Sequence, residues 1–388
     1  MSHVMKLQRI TTLARKESRE ILRDRLFFVL ALVVPATLMI TLGYGLTTDM
    51  EDVTIAVLDH DRTPLSREYA HKFIGSRYFD FRGYLQRERQ IGPLITAERV
   101  RVVLVIPPRF QSDLRHGRAV AVQSVVSGTV VQPAETVGGY VRATTAAFSQ
   151  QLAAAHLARR EGLSRPAAEG RLNPVQLQSR FFYNEPLDSR WGIVPGLMMI
   201  ILMFTLPLLT AVSIVREKES GAIDNVYAST LTPAEFLAGK LIPYWSLAIF
   251  NGLLLWGIVT QVYGVPFRGD PLAFLAALIL FCLCTTALGM IVSLLVRSQI
   301  AAILVMIVVT LVPAVLFSGV FTPLDSLGAA GQFQSRLLPA TYFNLVAQAS
   351  FLKGLSFAAV WRETATLGAY AAILLFIGWC QFTKRPKK

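Results

Sequence analysis

A glycine and a lysine at positions 239 and 240, in the octapeptide AEFLAGKL, are the nearest this sequence comes to a phosphate-binding loop. Such a loop needs G-x-x-x-x-G-K-[ST], so that backbone amides cradle the phosphates, the lysine reaches them and a hydroxyl holds magnesium. Here Ala234 stands at the first glycine and Leu241 at the hydroxyl. The cradle cannot form, and no ATPase site is expected in this chain. Asp59 and Asp61, in DHD, could hold a metal or a phosphoryl group. Aspartate equally favours a turn from strand to helix, and that simpler reading is preferred. The five histidines, His3, His60, His71, His116 and His156, lack zinc spacing. Cys282 and Cys284, two apart, would face different sides of a helix, so neither a disulfide nor a metal pair is expected. No nucleophile lies beside a base. The expectation is therefore no catalytic residue and no metal site.

The densest charge in an apolar region is Arg216-Glu217-Lys218-Glu219, which opens the segment 215–240, VREKESGAIDNVYASTLTPAEFLAGK. An apolar helix ends in it, and glutamate at a helix C-terminus opposes the macrodipole by roughly 0.3–1 kcal/mol when exposed. Two such glutamates call for cations from another element, and Arg15, Lys16 and Arg19 are the candidates. Gly221 is placed to cap the helix in the left-handed conformation. The octapeptide AIDNVYAS suggests a short helical turn. Thr232, Pro233 and Glu235 then have the spacing of a capping box with proline at the first helical position. The segment thus reads as a folded connector, suited either to plain solvation or to docking a partner.

These residues must be held by a membrane scaffold. The 388 residues carry 16% charged and 53% hydrophobic side chains, against about a quarter charged in soluble domains. The mean hydropathy is +0.48. Spanning takes roughly 20 apolar residues, and six runs qualify, at about 26–46, 192–215, 241–263, 272–296, 299–321 and 364–382. The first is too long for a signal peptide and is followed by no small-residue cleavage site. Lys6, Arg9, Arg15, Lys16, Arg19, Arg23 and Arg25 precede the first run, and Lys384, Arg385, Lys387 and Lys388 follow the last. An even span count with both ends basic puts both termini in the cytoplasm. The net charge of +13 is accounted for in this way, and no nucleic-acid partner is expected.

The fold class that follows is an α-helical polytopic membrane protein with six transmembrane helices, an inserted extracytoplasmic α/β domain and an N-terminal interfacial helix. Residues 1–25 form the interfacial helix, with Leu7, Ile10, Ala14 and Ile21 on one face against membrane lipid. Residues 26–46 are the first span, 47–190 the extracytoplasmic domain, and 191–388 the five further spans with the loop 215–240 and an outer hairpin region 322–363. In the domain, VTIAVLD, RVVLVIP and AVAVQSVV read as strands. Thr63 with Pro64 opens one helix, residues 135–160 form another, and QLQSRFFY suggests a returning strand. Within the hairpin region, Lys353 and Gly354 interrupt an apolar stretch that fits two short helices dipping into the outer leaflet. Pro35, Pro207, Pro243 and Pro313 would kink or end spans. No span interior holds Asp, Glu, Lys, Arg or His, which argues against coupling by protonation within the membrane. Asn251 is the most polar side chain deep in a span. A hydrogen bond between helices is its simpler role, and it is otherwise the candidate pathway residue.

Along nearly its whole length the chain resembles the permease subunits of type-2 ATP-binding-cassette exporters, in the bacterial subgroup with a large domain between the first and second spans. The resemblance is carried in order by ARKESREILRDRL, IAVLDHDRTPLSREYAHKFIGSRYF, FFYNEPLDSRWGIVPGLM, IVREKESGAIDNVYASTLTPAEFLAGKLIPY and SGVFTPLDSLGAAGQFQSRLLPATYF. It implies residence in the bacterial inner membrane with the large domain periplasmic, and pairing with a second permease, identical or paralogous. It also implies a separate ATPase subunit carrying the ATP and magnesium, so that this chain holds no cofactor. By the same resemblance Glu217, Lys218, Glu219, Gly221 and Asp224 match the segment that couples to the ATPase, to which the capping pair Thr232 and Glu235 belongs. Lys16, Glu17, Arg23 and Asp24 match the surface helix. Thr230 and the pair Leu327–Gly328 depart from the usual proline and Met-Pro. The expected activity is efflux, with drug-like or lipid-like amphiphiles favoured by the charge-free spans and a periplasmic adaptor as a further partner. The alternative is a membrane-anchored receptor or assembly scaffold that binds through the outer domain.

Overall fold

The computed structural model describes residues 2–46, 52–128, 131–172, 182–185, 188–221 and 232–381, without the side chains of 2–7, 26, 131–133 and 233. The expected short turn at 222–229, the full returning strand, Asp224, Thr230 and the basic C-terminal tail fall outside the described residues. The chain divides into two units, Thr48–Arg180 and the remainder.

The chain opens with α1 (Ser2–Arg23), followed directly by α2 (Arg25–Phe28), a π turn at Val29–Val33 and α3 (Val34–Gly45). The wide turn has a cause. Pro35 has no amide to offer the carbonyl four residues back, and its ring would strike that carbonyl. Widening the preceding turn relieves the clash. The carbonyl in question, of Ala31, instead accepts from Asn251 Nδ2 at 2.8 Å.

The inserted unit has its own sheet, in the order β2-β1-β3-β4. Its elements are β1 (Val53–Asp59), α4 (Pro64–Ile74), β2 (Phe79–Leu85), α5 (Ile91–Thr96), β3 (Val102–Ile106), α6 (Phe110–Arg115), β4 (Gln123–Val126), α7 (Val131–Glu161) and α8 (Arg165–Leu172). β1 pairs in parallel with β2 and β3, and β4 is antiparallel to β3. Alternation along the strands sends Ile55, Val57, Val102 and Leu104 to a core shared with Tyr69, Phe73, Phe110 and Phe148. Ala56, Leu58, Val103 and Val105 go to the other face, with Ile91. Asp59 and Asp61 make the turn between β1 and α4. Asp59 Oδ1 accepts from the amides of Asp61 and Arg62 at 3.0 and 2.9 Å, and Asp61 Oδ2 accepts from Thr63 Oγ1 at 2.6 Å. β2 was not expected. It is an edge strand whose pairing slips at Arg82–Gly83, and a bulge of that kind destroys the alternation by which a strand is recognised.

The remaining helices are α9 (Ser189–Glu219), α10 (Pro233–Gln261), α11 (Pro271–Leu295), α12 (Gln299–Met306), α13 (Val312–Phe317), α14 (Ala329–Arg336), α15 (Pro339–Gln348) and α16 (Phe357–Gln381). A π turn at Ile307–Leu311 joins α12 to α13 just before Pro313, repeating the arrangement at Pro35. Pro207 and Pro243 lie inside continuous helices, so none of the four prolines ends one. By length and apolarity, five helical stretches among the described residues can cross a membrane: Ser189–Glu219, Ala234–Gln261, Pro271–Leu295, Gln299–Phe317 and Phe357–Gln381. A shorter apolar stretch, Val29–Gly45, precedes them. α9 is central, with 78% of its most apolar window buried, and the two last stretches are peripheral at 22% each. In the hairpin region, α14 and α15 are followed by a π turn at Ala349–Lys353 that stops at Gly354 in the left-handed conformation.

Candidate functional site

The first turn of α10 is built as its sequence demands. Thr232 Oγ1 accepts from the Glu235 amide at 3.3 Å, and Glu235 Oε2 accepts from the Thr232 amide at 2.8 Å. Glu235 is buried and also lies 3.9 Å from Arg9 of α1. One turn later, a Cβ on Gly239 would stand 2.7 Å from Leu13 Cδ2. The glycine that imitates a phosphate loop is there so that α1 can lie directly on α10.

The neighbouring Lys240 is 1% exposed. Its Nζ lies 2.9 Å from Glu17 Oε1 of α1 and 2.5 Å from Glu217 Oε2 of α9. Lys16 approaches the same group, 3.8 Å from Glu217 and 3.4 Å from Glu20. Carboxyl oxygens of Glu17, Glu20 and Glu217 lie within 4.8 Å of one another, and two ammonium groups supply the positive charge among them. Tyr244 closes the group from α10. It lies 3.5 Å from Glu17 Oε2 and is hydrogen-bonded to Ser213 of α9. Burial raises the Glu17 pKa above its ordinary 4.5, and the nearby Lys240 offsets this only in part. For Lys16, burial works against the charge, but Glu217, Glu20 and Glu17 outweigh it and hold the pKa above 10.5.

The last turn of α9 sends four consecutive side chains to four different places. Arg216 pairs with Asp24 at 2.8 Å, and Asp24 in turn accepts from the Phe27 amide of α2 at 3.1 Å. Glu217 goes to Lys240 and Lys16. Lys218 donates to the carbonyls of Ser293 and Val296, where α11 ends and unpaired carbonyls favour a cation. Glu219 accepts from the Gln299 amide at 2.8 Å and from its side-chain amide, at the start of α12, where the dipole favours an anion. Gly221 follows with φ of 73°, as its capping position requires.

The structure thus gathers Lys16, Glu17, Asp24, Glu217, Lys218, Glu219, Thr232 and Glu235 at one end of the helical unit. Arg23 is exposed. The cation partners differ from those expected. Glu217 has Lys16 but chiefly Lys240, and Glu219 has no lysine or arginine partner among the described residues. Arg15 and Arg19 are exposed and pair with neither glutamate. The apolar face of α1 is spent on α10, with Ile21 and Glu17 its most buried residues. Asn251 stands apart, fully buried, with Nδ2 on Ala31 and no partner on Oδ1 among the described residues.

The sequence is similar, over nearly its whole length, to proteins named as permeases. The "Probable multidrug ABC transporter permease YbhS" of Escherichia coli K12 is 27% identical across 98% of both chains. The "Probable multidrug ABC transporter permease YbhR" of the same strain is 26% identical over 94% of this chain and 97% of its own. Its "Inner membrane transport permease YhhJ" is 27% identical over 97% and 98%. Residues 25–380 match the family described as ABC-2 family transporter protein. With nearly all of its length matched and its helices apolar enough to cross repeatedly, the chain is a multi-pass membrane permease belonging to the ABC-2 transporter family.

Proposed function

We infer that this chain is the transmembrane permease subunit of an ATP-driven exporter, powered by a separate ATP-binding-cassette ATPase. The observation that carries the reading is the last turn of α9. Arg216, Glu217, Lys218 and Glu219 tie the central helix to α1, α10, α11 and α12 within one turn. A push on the adjoining segment 222–231 would therefore be distributed to most of the bundle at once. In this reading that end is cytoplasmic and receives the ATPase, the apolar helix 25–45 is the first of six spans, and the inserted unit is periplasmic in a bacterial inner membrane. The poorly buried faces of α12, α13 and α16 suit lipid and a second permease copy. The names of the two multidrug relatives, with the charge-poor bundle interior, support amphiphilic cargo, and a periplasmic adaptor is a further partner.

The test is reconstitution. The purified chain alone is expected to hydrolyse no ATP. With an ABC ATPase co-expressed from the same genome, hydrolysis and ATP-dependent uptake of an amphiphilic dye into inverted vesicles are expected. ATP-independent flux abolished by an ionophore would overturn the reading, as would failure of any such ATPase to co-purify.

A further inference from the structure

The inserted unit carries two adjoining cavities with opposite chemistry. One, of about 380 Å³, is floored by Tyr69, Phe110 and Phe148, with Val120 and Val122 at its side. Its floor is rigid: Tyr69 packs at 5.5 Å from Phe110 and 5.0 Å from Phe148, and its hydroxyl is satisfied by Thr145 at 2.7 Å. The other, of about 600 Å³, is lined by Lys72, Arg115, Arg159 and Arg165 against only Glu68 and Glu169. Leu114, Phe148, Leu152 and His156 line both, so the two adjoin along these side chains. Both volumes lie in the range of small-molecule sites.

The long helix α7 sets the gradient. Phe148, Leu152, His156 and Arg159 follow one another along a single face, running from the aromatic floor to the cationic mouth over about 16 Å. The cations at the mouth are exposed and, among the described residues, free of partners. Arg118 and Arg171 nearby are committed to Asp113 and Glu161, whereas none of the four has an ion-pair partner among the described residues. An apolar trough ending in an excess of unpaired positive charge fits one kind of molecule. We propose that this groove binds a single-chain amphiphile with an anionic head, of the long-chain fatty acid type. The apolar tail lies on Tyr69, Phe110 and Phe148, and the carboxylate meets Lys72 and Arg159.

The site lies wholly within the inserted unit, and its occupancy can be read without transport. It therefore stands or falls apart from the exporter reading. The test uses the full chain in lipid nanodiscs and a long-chain fatty acid bearing a diazirine near its methyl end. After illumination, the peptide covering residues 148–159 is expected to carry the label. Excess free fatty acid should compete, and the fatty alcohol of equal length should not. Lys72→Glu with Arg159→Glu should cut labelling roughly tenfold, as loss of two charge contacts does. Leu152→Trp, which fills the trough, should abolish it, and Arg77→Glu, outside the groove, should leave it unchanged. Labelling confined to the apolar helices, equal competition by the alcohol, or full labelling of the doubly reversed variant would each overturn the proposal.

Discussion

Lys240 is a buried ammonium held by two carboxylates from two other helices. Such a triad adds little net stability, because desolvation consumes most of the attraction, but removing one member is severe. Lys240→Met leaves Glu17 and Glu217 facing each other in a buried site, at a cost of about 3–5 kcal/mol. The thermal midpoint in detergent should fall clearly, and adding Glu17→Gln and Glu217→Gln should restore most of it. An unchanged midpoint for Lys240→Met would mean that the triad is solvated. Glu17 adds a pH dependence. Its folded-state pKa is raised, so the folded protein holds that proton more tightly than the unfolded chain. Its contribution is full below the ordinary carboxylate value and is lost as pH rises through the raised one. Glu17→Gln should flatten the decline in stability just above pH 4.5. The pair Gly239–Lys240 was legible as a failed phosphate loop but not as a packing notch and a buried cation, because the apolar run seemed to begin one residue later. A signal was present in α1. Glu17 falls on the same face as Ile10, Ala14 and Ile21, where a solvated carboxylate has no place.

At the scale of elements, the two glutamates of α9 looked equivalent in sequence and are not. Glu217 lies inside the triad, whereas Glu219 sits at the rim on the N-terminus of α12. Glu217→Lys should therefore weaken both folding and transport, by placing a second cation against Lys240. Glu219→Lys should leave the thermal midpoint close to that of wild type, because it removes only an exposed helix-terminus contact. If the last turn of α9 relays motion to α12, that variant should still lose export and uncouple ATP hydrolysis. Wild-type export by Glu219→Lys would remove α12 from the relay. Capping logic was readable here because it is local: Thr232, Pro233, Glu235 and Gly221 announce their roles within a few residues. The destinations of Arg216, Lys218 and Glu219 were not, since each partner lies 75 or more positions away and is fixed only by how the helices pack. β2 was lost for another local reason, the bulge at its Arg82–Gly83 step.

For the whole molecule, orientation is the property on which the functional reading depends. The charges that argue for it are asymmetric: seven lysines and arginines precede the first apolar helix, and the C-terminal tail is basic. The segment 222–231 and the inserted unit should then lie on opposite sides of the membrane. Cysteine labelling in intact cells decides this, provided the native thiols do not interfere. Cys282 and Cys284 are buried, but Cys380 is exposed and must first be replaced. Gly117 would be a poor outer probe, because its φ of 73° strains any side chain placed there. Ser112, exposed on α6, is the better position. An impermeant maleimide should label Ser112→Cys once the outer membrane is opened, and Ser229→Cys only after the inner membrane is lysed. The reverse pattern would put the amphiphile groove in the cytoplasm and detach the α9 hub from any cytoplasmic ATPase. Labelling of both from outside would mean an even number of crossings between them, and α9, the membrane-length apolar helix between the two positions, would no longer count as a span.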